Sequence, residues 1–143
     1  MIKYVLGFLF DEKENNLVLI RKLKPDFLKG MLNGVGGKIE SHETPLEAIE
    51  REFREETGLN IAWEQWQHKL SLTKDNEYFL YIFKANTPNL IGASTREKEE
   101  VGIYALSSVL HPANYLNIVP NLKWIIPMLR DNTLKLPLTI EEK

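Results

Sequence analysis

The chain has no cysteine, which excludes disulfides, thiolate nucleophiles and cysteine-bound zinc or iron–sulfur centres. It has almost no net charge. Its 18 basic and 20 acidic residues give −2 at neutral pH, so a domain that grips nucleic acid by bulk electrostatics is not expected. Long hydrophobic runs are missing too. The longest apolar stretches, such as Tyr4–Phe10, fall far short of a membrane span, and the N-terminus shows no signal-peptide cleavage pattern. Repeats, low-complexity tracts and linker-like stretches are also lacking. What is present is a chain of 143 residues, 43% hydrophobic and 27% charged. That is enough to bury a core without staples, and one soluble cytoplasmic domain over residues 1–143 is expected.

Hydrophobic period and turn residues mark out the elements. Lys3–Phe10 reads as a buried strand, Asp11–Asn16 as a polar turn and Leu17–Arg21 as a second strand. Lys22–Gly34 reads as irregular. Thr44–Thr57 is the clearest helix: Leu46, Ile49 and Phe53 share one face, Pro45 suits the first turn, and Gly58 follows as a stop. Asn60–Lys74 and Tyr78–Ala85 are expected as strands around an Asp75-Asn76 turn, with Trp63 and Trp66 on the first of them. Val101–Ala105 is expected as a shorter strand, and Ile118–Leu129 as a helix despite Pro120 and Pro127. The tail Thr133–Lys143 alternates Leu134, Leu136, Leu138 and Ile140, which leaves an added strand, a partner-covering segment or a mobile end open. Hairpins mixed with helices point to an α/β fold with helices packed on a mixed sheet.

Charge is distributed unevenly. Arg21–Lys38 holds five bases and one acid, net +4, and Gly37–Leu59 holds seven acids and three bases, net −4. Within the helix, Glu52 lies at i, i+3 and i+4 to Glu55 and Glu56, so three carboxylates share roughly one face. Like charges that close raise one another's pKa unless a cation offsets them. An all-oxygen set of this kind suits magnesium or manganese rather than zinc. Arg51 can anchor a carboxylate bidentately, and Gly36 and Gly37 let backbone carbonyls approach a cation. A basic arm running into an acidic helix suits a phosphate held through metal. Arg21 and Lys38 are the leading phosphate contacts, ahead of Lys22, Lys24 and Lys29. His42, His68 and His111 show no ligand spacing.

Read together, Gly37, Glu43, Arg51, Glu52, Phe53, Glu55, Glu56, Gly58 and Leu59 resemble the Nudix hydrolase signature. Only Phe53 stands where an aliphatic residue is usual. The resemblance implies a Nudix-type α/β/α sandwich with a mixed sheet between helices. It also implies a magnesium-dependent hydrolase, manganese substituting, of a nucleoside diphosphate linked to another group. Residue by residue, Glu52, Glu55 and Glu56 match the family's metal-binding glutamates and the Gly36 carbonyl its backbone ligand. Glu43 and Arg51 match the pair that braces loop and helix, and Glu52 also matches the general base proposed in some members. The family often takes a further carboxylate from outside the signature; Glu97 fits that spacing best and Glu99 next.

Substrate choice lies outside the signature. Asn33-Gly34 is similar to the branch that cleaves oxidised purine nucleoside triphosphates, where an asparagine hydrogen-bonds the base, and Phe27 could stack on it. The acidic pair and tryptophan of that branch are not matched at Ile118, Pro120 and Asn121. The expected substrate is therefore a (deoxy)nucleoside triphosphate, oxidised purines included, cleaved to the monophosphate and pyrophosphate. ADP-ribose or a dinucleoside polyphosphate is the alternative within the family, and a non-catalytic nucleotide sensor the alternative of another class. The expected partner is a small nucleotide, with no stable nucleic acid complex and no membrane, in a monomer or homodimer.

Overall fold

The first strand, β1 (Ile2–Asp11), is apolar on both faces because both faces are covered. Side chains alternate along a strand, so Leu6, Phe8 and Phe10 enter one core while Val5 and Leu9 enter the other. β2 (Asn16–Arg21) repeats the pattern, with Leu17 and Leu19 on the first side and Val18 and Ile20 on the second. The computed structural model describes residues 1–135 and 137–143. Leu136, part of the alternating tail, lies outside the described residues.

Six further strands complete the sheet: β3 (Leu32–Asn33), β4 (Val35–Lys38), β5 (Gln67–Lys74), β6 (Tyr78–Thr87), β7 (Val101–Ala105) and β8 (Leu138–Glu142). The main order is β3-β2-β1-β6-β5-β8, with β4 also paired to β1 and β7 to β2. The β1–β6 and β5–β8 pairings are parallel and the others antiparallel. Helix α1 (Pro45–Thr57) covers one face through Ala48, Ile49 and Phe53. The short α2 (Leu106–Val109) and α3 (Leu122–Leu129) cover the other. This is the α/β/α sandwich with a mixed sheet that the signature implied.

Local chemistry sets the limits of α1. Thr44 and Glu47 form a reciprocal capping box, Glu47 N–H to Thr44 Oγ1 at 3.1 Å and Thr44 N–H to Glu47 Oε1 at 2.9 Å. Pro45 occupies the first turn, and Gly58 ends the helix with φ 78°.

Three expectations are corrected. The strand drawn from Asn60 begins at Gln67; before it, Trp63–Gln65 forms a 3-10 turn whose Trp63 N–H donates to Glu50 at 2.6 Å. Trp66 is buried against Phe53, ring centroids 5.1 Å apart, and is not a strand residue. The helix drawn from Ile118 begins at Leu122, because Leu32 N–H donates to the Asn117 carbonyl and Val119 N–H to the Leu32 carbonyl. Backbone groups already paired to β3 cannot start a helix. Within the span read as irregular, Leu32–Asn33 pairs with β2.

Candidate active site

The β1–β4 register sets Gly36 opposite Leu6 and Gly37 opposite Val5. A Cβ on Gly36 would lie 2.8 Å from the Val5 carbonyl carbon, and one on Gly37 would lie 2.6 Å from Glu52 Cδ. The backbone contact makes glycine necessary at Gly36, while at Gly37 a methyl would displace the Glu52 carboxylate: the strand is pressed between β1 on one side and Glu52 of α1 on the other.

Arg51 organises the acids around it. Its Nε and Nη2 donate to the two oxygens of Glu43 at 2.6 and 2.9 Å, a bidentate pair. Its Nη1 donates to Glu52 Oε1 at 2.9 Å and Glu55 Oε2 at 3.3 Å, and Nη2 also reaches the Lys38 carbonyl at 3.2 Å. The guanidinium holds the Glu43 carboxyl below the usual range, and Arg51 itself is held firmly charged, by Glu43 first.

Glu52 and Glu56 behave differently. Burial pushes both carboxyls up, and Arg51 opposes the shift at Glu52. Glu56 reaches about 7, because Glu99 and Glu52 add repulsion to the burial while Lys22 offsets part of it. Its Oε2 is buried and has no hydrogen-bond partner among the described residues. A buried acceptor without a partner is costly, so this oxygen is a free ligand position.

The segment after β6 supplies the remaining acids. Ser94 N–H donates to the Thr57 carbonyl at 3.0 Å and Arg96 N–H to the Glu56 carbonyl at 3.3 Å, which fixes it against the end of α1. Glu97 is exposed. Glu99 is more enclosed, accepting from Lys22 Nζ at 3.1 Å and Leu23 N–H at 2.6 Å. Glu52, Glu55, Glu56, Glu97 and Glu99, with Lys24 and Lys98, line one hollow of about 350 Å³. Among the described residues no three acids close on one point at ligand distance; Glu52 and Glu55 lean to Arg51, and Glu99 to Lys22 and Leu23. The donor set is hard oxygen throughout, one oxygen is buried and free, and the group fits a divalent cation.

A family model described as the NUDIX domain matches residues 2–125. The chain belongs to the NUDIX family of hydrolases. With the family comes the expected enzyme class, a pyrophosphohydrolase, and the general use of divalent metals. Solved structures share the Nudix fold at low identity. A mutator MutT protein from Bacillus halodurans superposes with a TM-score of 0.72 at 22% identity, over 100% of this chain and 91% of its own. A MutT described for Aliivibrio salmonicida and Vibrio cholerae gives 0.68 at 19%, over 91% and 97%. A bifunctional NMN adenylyltransferase/ADP ribose pyrophosphatase from Francisella tularensis, complexed with AMP and a Mn ion, gives 0.69 at 17%, over 90% of this chain but 40% of its own.

Beside the acids of this Nudix fold lies a second hollow of about 390 Å³, with a largely apolar lining that includes Leu6, Leu72 and Leu80 and the glycines Gly34, Gly36 and Gly37. Asn33 lines it, and its Oδ1 accepts from Gly34 N–H at 2.8 Å. Phe27 is 76% exposed and faces an adjoining groove with Met31 and Pro120. Arg21 is half-buried and donates to the carbonyls of Gly30 at 2.8 Å and Leu116 at 3.4 Å, bracing loops at the rim. Lys38 is exposed, with its carbonyl on Arg51. The structure thus gathers Glu43, Glu52 and Glu55 around Arg51 and lines one hollow with Glu52, Glu55, Glu56 and Glu97; Gly36 lines the second hollow, next to Gly37, which abuts Glu52, and neither Arg21 nor Phe27 lines the acidic hollow. Sequence reasoning reached Asn121 only as an unmatched base-reading position and did not single out Tyr78 and Glu142 as lining residues. The tail's alternation was the available signal for Glu142, but it did not reveal that β8 would pair with β5.

Proposed function

We propose that this Nudix hydrolase cleaves (deoxy)nucleoside triphosphates to the monophosphate and pyrophosphate, using magnesium or manganese. The observation that carries it is the buried, unpartnered oxygen of Glu56, a residue that lines the same hollow as Glu52, Glu55 and Glu99. Glu52, Glu55, Glu56 and the Gly36 carbonyl would hold the cation, with Glu99 or Glu97 as the further carboxylate. The tighter enclosure of Glu99 favours it over Glu97. A bound divalent ion stabilises charge developing on the bridging oxygen and lowers the pKa of the attacking water.

The chain's own residues supply orientation and proton transfer. Water attacks phosphorus, the P–O–P bond breaks, and pyrophosphate leaves with the bond's electron pair. The proton passes to a carboxylate, for which Glu52 is placed: burial raises its proton affinity while Arg51 fixes its direction. A positioned base contributes about 10²- to 10⁴-fold. The apolar hollow beside Asn33 takes the base, and Lys22, Lys24 and Lys38 offer charge toward phosphates. A cytoplasmic setting and a small-molecule partner belong to the same proposal; among the described residues no helix is long and apolar enough to cross a membrane.

The test is a panel with magnesium: nucleoside triphosphates, ADP-ribose, dinucleoside polyphosphates and capped RNA, scoring pyrophosphate against orthophosphate. Pyrophosphate from triphosphates is expected. Preferential cleavage of ADP-ribose or a dinucleoside polyphosphate would replace the substrate, and binding without turnover of any would replace the enzyme reading with a sensor.

A further inference from the structure

We propose that Glu142, at the end of the C-terminal strand, selects the base of the bound nucleotide by accepting the paired N–H groups of a guanine-type edge. The inference rests on the nucleotide reading of the hollow given above. The parallel β5–β8 register sets Glu142 beside Lys74, which in turn pairs with Tyr78 of β6. The last strand thereby carries its side chain into the hollow that also holds Asn33 and Asn121. Among the described residues lining that hollow, Glu142 is the one acid and Lys22 the one cation, and Lys22 is paired to Glu99.

Tyr78 stands beside the carboxylate: both residues line the hollow, and both are set next to Lys74 of β5 by the strand registers. Burial first, with Glu142 adding to it, pushes the Tyr78 hydroxyl up to about 12, so it is a donor available to that carboxylate. An ionised carboxylate only accepts and has about four lone-pair positions, so most of its capacity is left for a ligand. Asn33 complements it. Gly34 N–H already occupies its Oδ1, which leaves the amide NH₂ to donate.

A donor and a carboxylate acceptor in one apolar cleft discriminate among bases. Guanine presents a carbonyl and, next to it, two adjacent donors at N1 and N2. Adenine and cytosine place a ring-nitrogen lone pair beside their amine, which repels a carboxylate reaching for both atoms. Hypoxanthine keeps the carbonyl and N1–H but lacks the second donor. A bidentate base contact is worth about 10- to 100-fold in discrimination, and an unmet buried acceptor penalises the wrong base.

Two readouts on the full chain test this. Steady-state kinetics with GTP, ITP and ATP in magnesium are expected to favour GTP by about 10- to 100-fold, chiefly in KM. Glu142→Gln, which turns two acceptors into an acceptor and a donor, should collapse that preference through KM for GTP rather than kcat. Tyr78→Phe keeps the carboxylate but removes the hydroxyl beside it, and should shift the ratio the same way by less. Calorimetric binding of GMP, IMP and AMP without metal is the second readout, with GMP tightest and its advantage lost in E142Q. An unchanged base ranking in E142Q, or no guanine preference in the unmodified chain, overturns the assignment. If no triphosphate is hydrolysed while the GMP preference appears and depends on Glu142, the hydrolase reading fails and this one stands.

Discussion

Glu56 concentrates the account at the scale of one residue. Its carboxyl is pushed up to about 7 by burial and by Glu99 and Glu52, so between about pH 4.5 and 7 the folded chain binds a proton that the unfolded chain has released. The contribution of Glu56 to metal-free stability therefore falls as pH rises through that window. Glu56→Gln carries no charge to bury and is expected to melt above the unmodified chain at pH 8, with the gap closing by pH 5. Added magnesium should raise the melting temperature of the unmodified chain at pH 8 more than that of the variant, since a ligand stabilises the state that binds it. Calorimetric melts at the two pH values check this, and equal pH profiles would contradict it. The same residue shows what sequence can convey. The spacing of Glu52, Glu55 and Glu56 announces a shared face, but their unequal environments come from Lys22 and Glu99, which are 77 positions apart in the chain and meet only on folding.

Among the elements, β4 is the most constrained, a strand of Val35-Gly36-Gly37-Lys38 held between β1 and α1. Its two glycines fail in different ways. A methyl at Gly37 meets Glu52 Cδ at 2.6 Å, the end of a side chain that can swing aside. Gly37→Ala is expected to keep the fold and lower turnover by about 10²-fold through a displaced carboxylate. A methyl at Gly36 meets the β1 backbone at Val5, which cannot yield without disturbing the sheet; Gly36→Ala should lose about 1–3 kcal/mol or more of stability. Thermal melts beside turnover separate the two, and matched losses in both would show that the strand is not pinned as described. Elements with strong local signals were legible: the apolar β1, and α1 with its apolar face, Pro45 in the first turn and glycine stop. Short elements defined by long-range pairing were not. Two-residue β3 exists because β2 and the segment at Ile118 bond to it, and that bonding also delays the start of α3. Trp66 reads as a strand residue until Phe53 and Gly7 are seen around it.

Across the whole molecule, the near-zero net charge conceals a basic arm folded against an acidic helix. Lys22 is paired with Glu99 and Lys24 lines the acidic hollow, so the two charge blocks of the sequence share one site. The hollow proposed for the base is assembled from further apart still: Asn33 of β3, Tyr78 of β6, Asn121 before α3 and Glu142 of β8. The sheet order brings these four together. The proposed metal half of the site was therefore readable from one signature, whereas most of the proposed base half emerges only from topology. On the proposed function, the acid cluster on α1 carries divalent-metal hydrolysis. Its most direct test is the rate of pyrophosphate release from a nucleoside triphosphate at saturating magnesium, in the unmodified chain and in Glu56→Gln. A loss of about 10²- to 10³-fold with an unchanged circular dichroism spectrum is predicted, and turnover near that of the unmodified chain would contradict it.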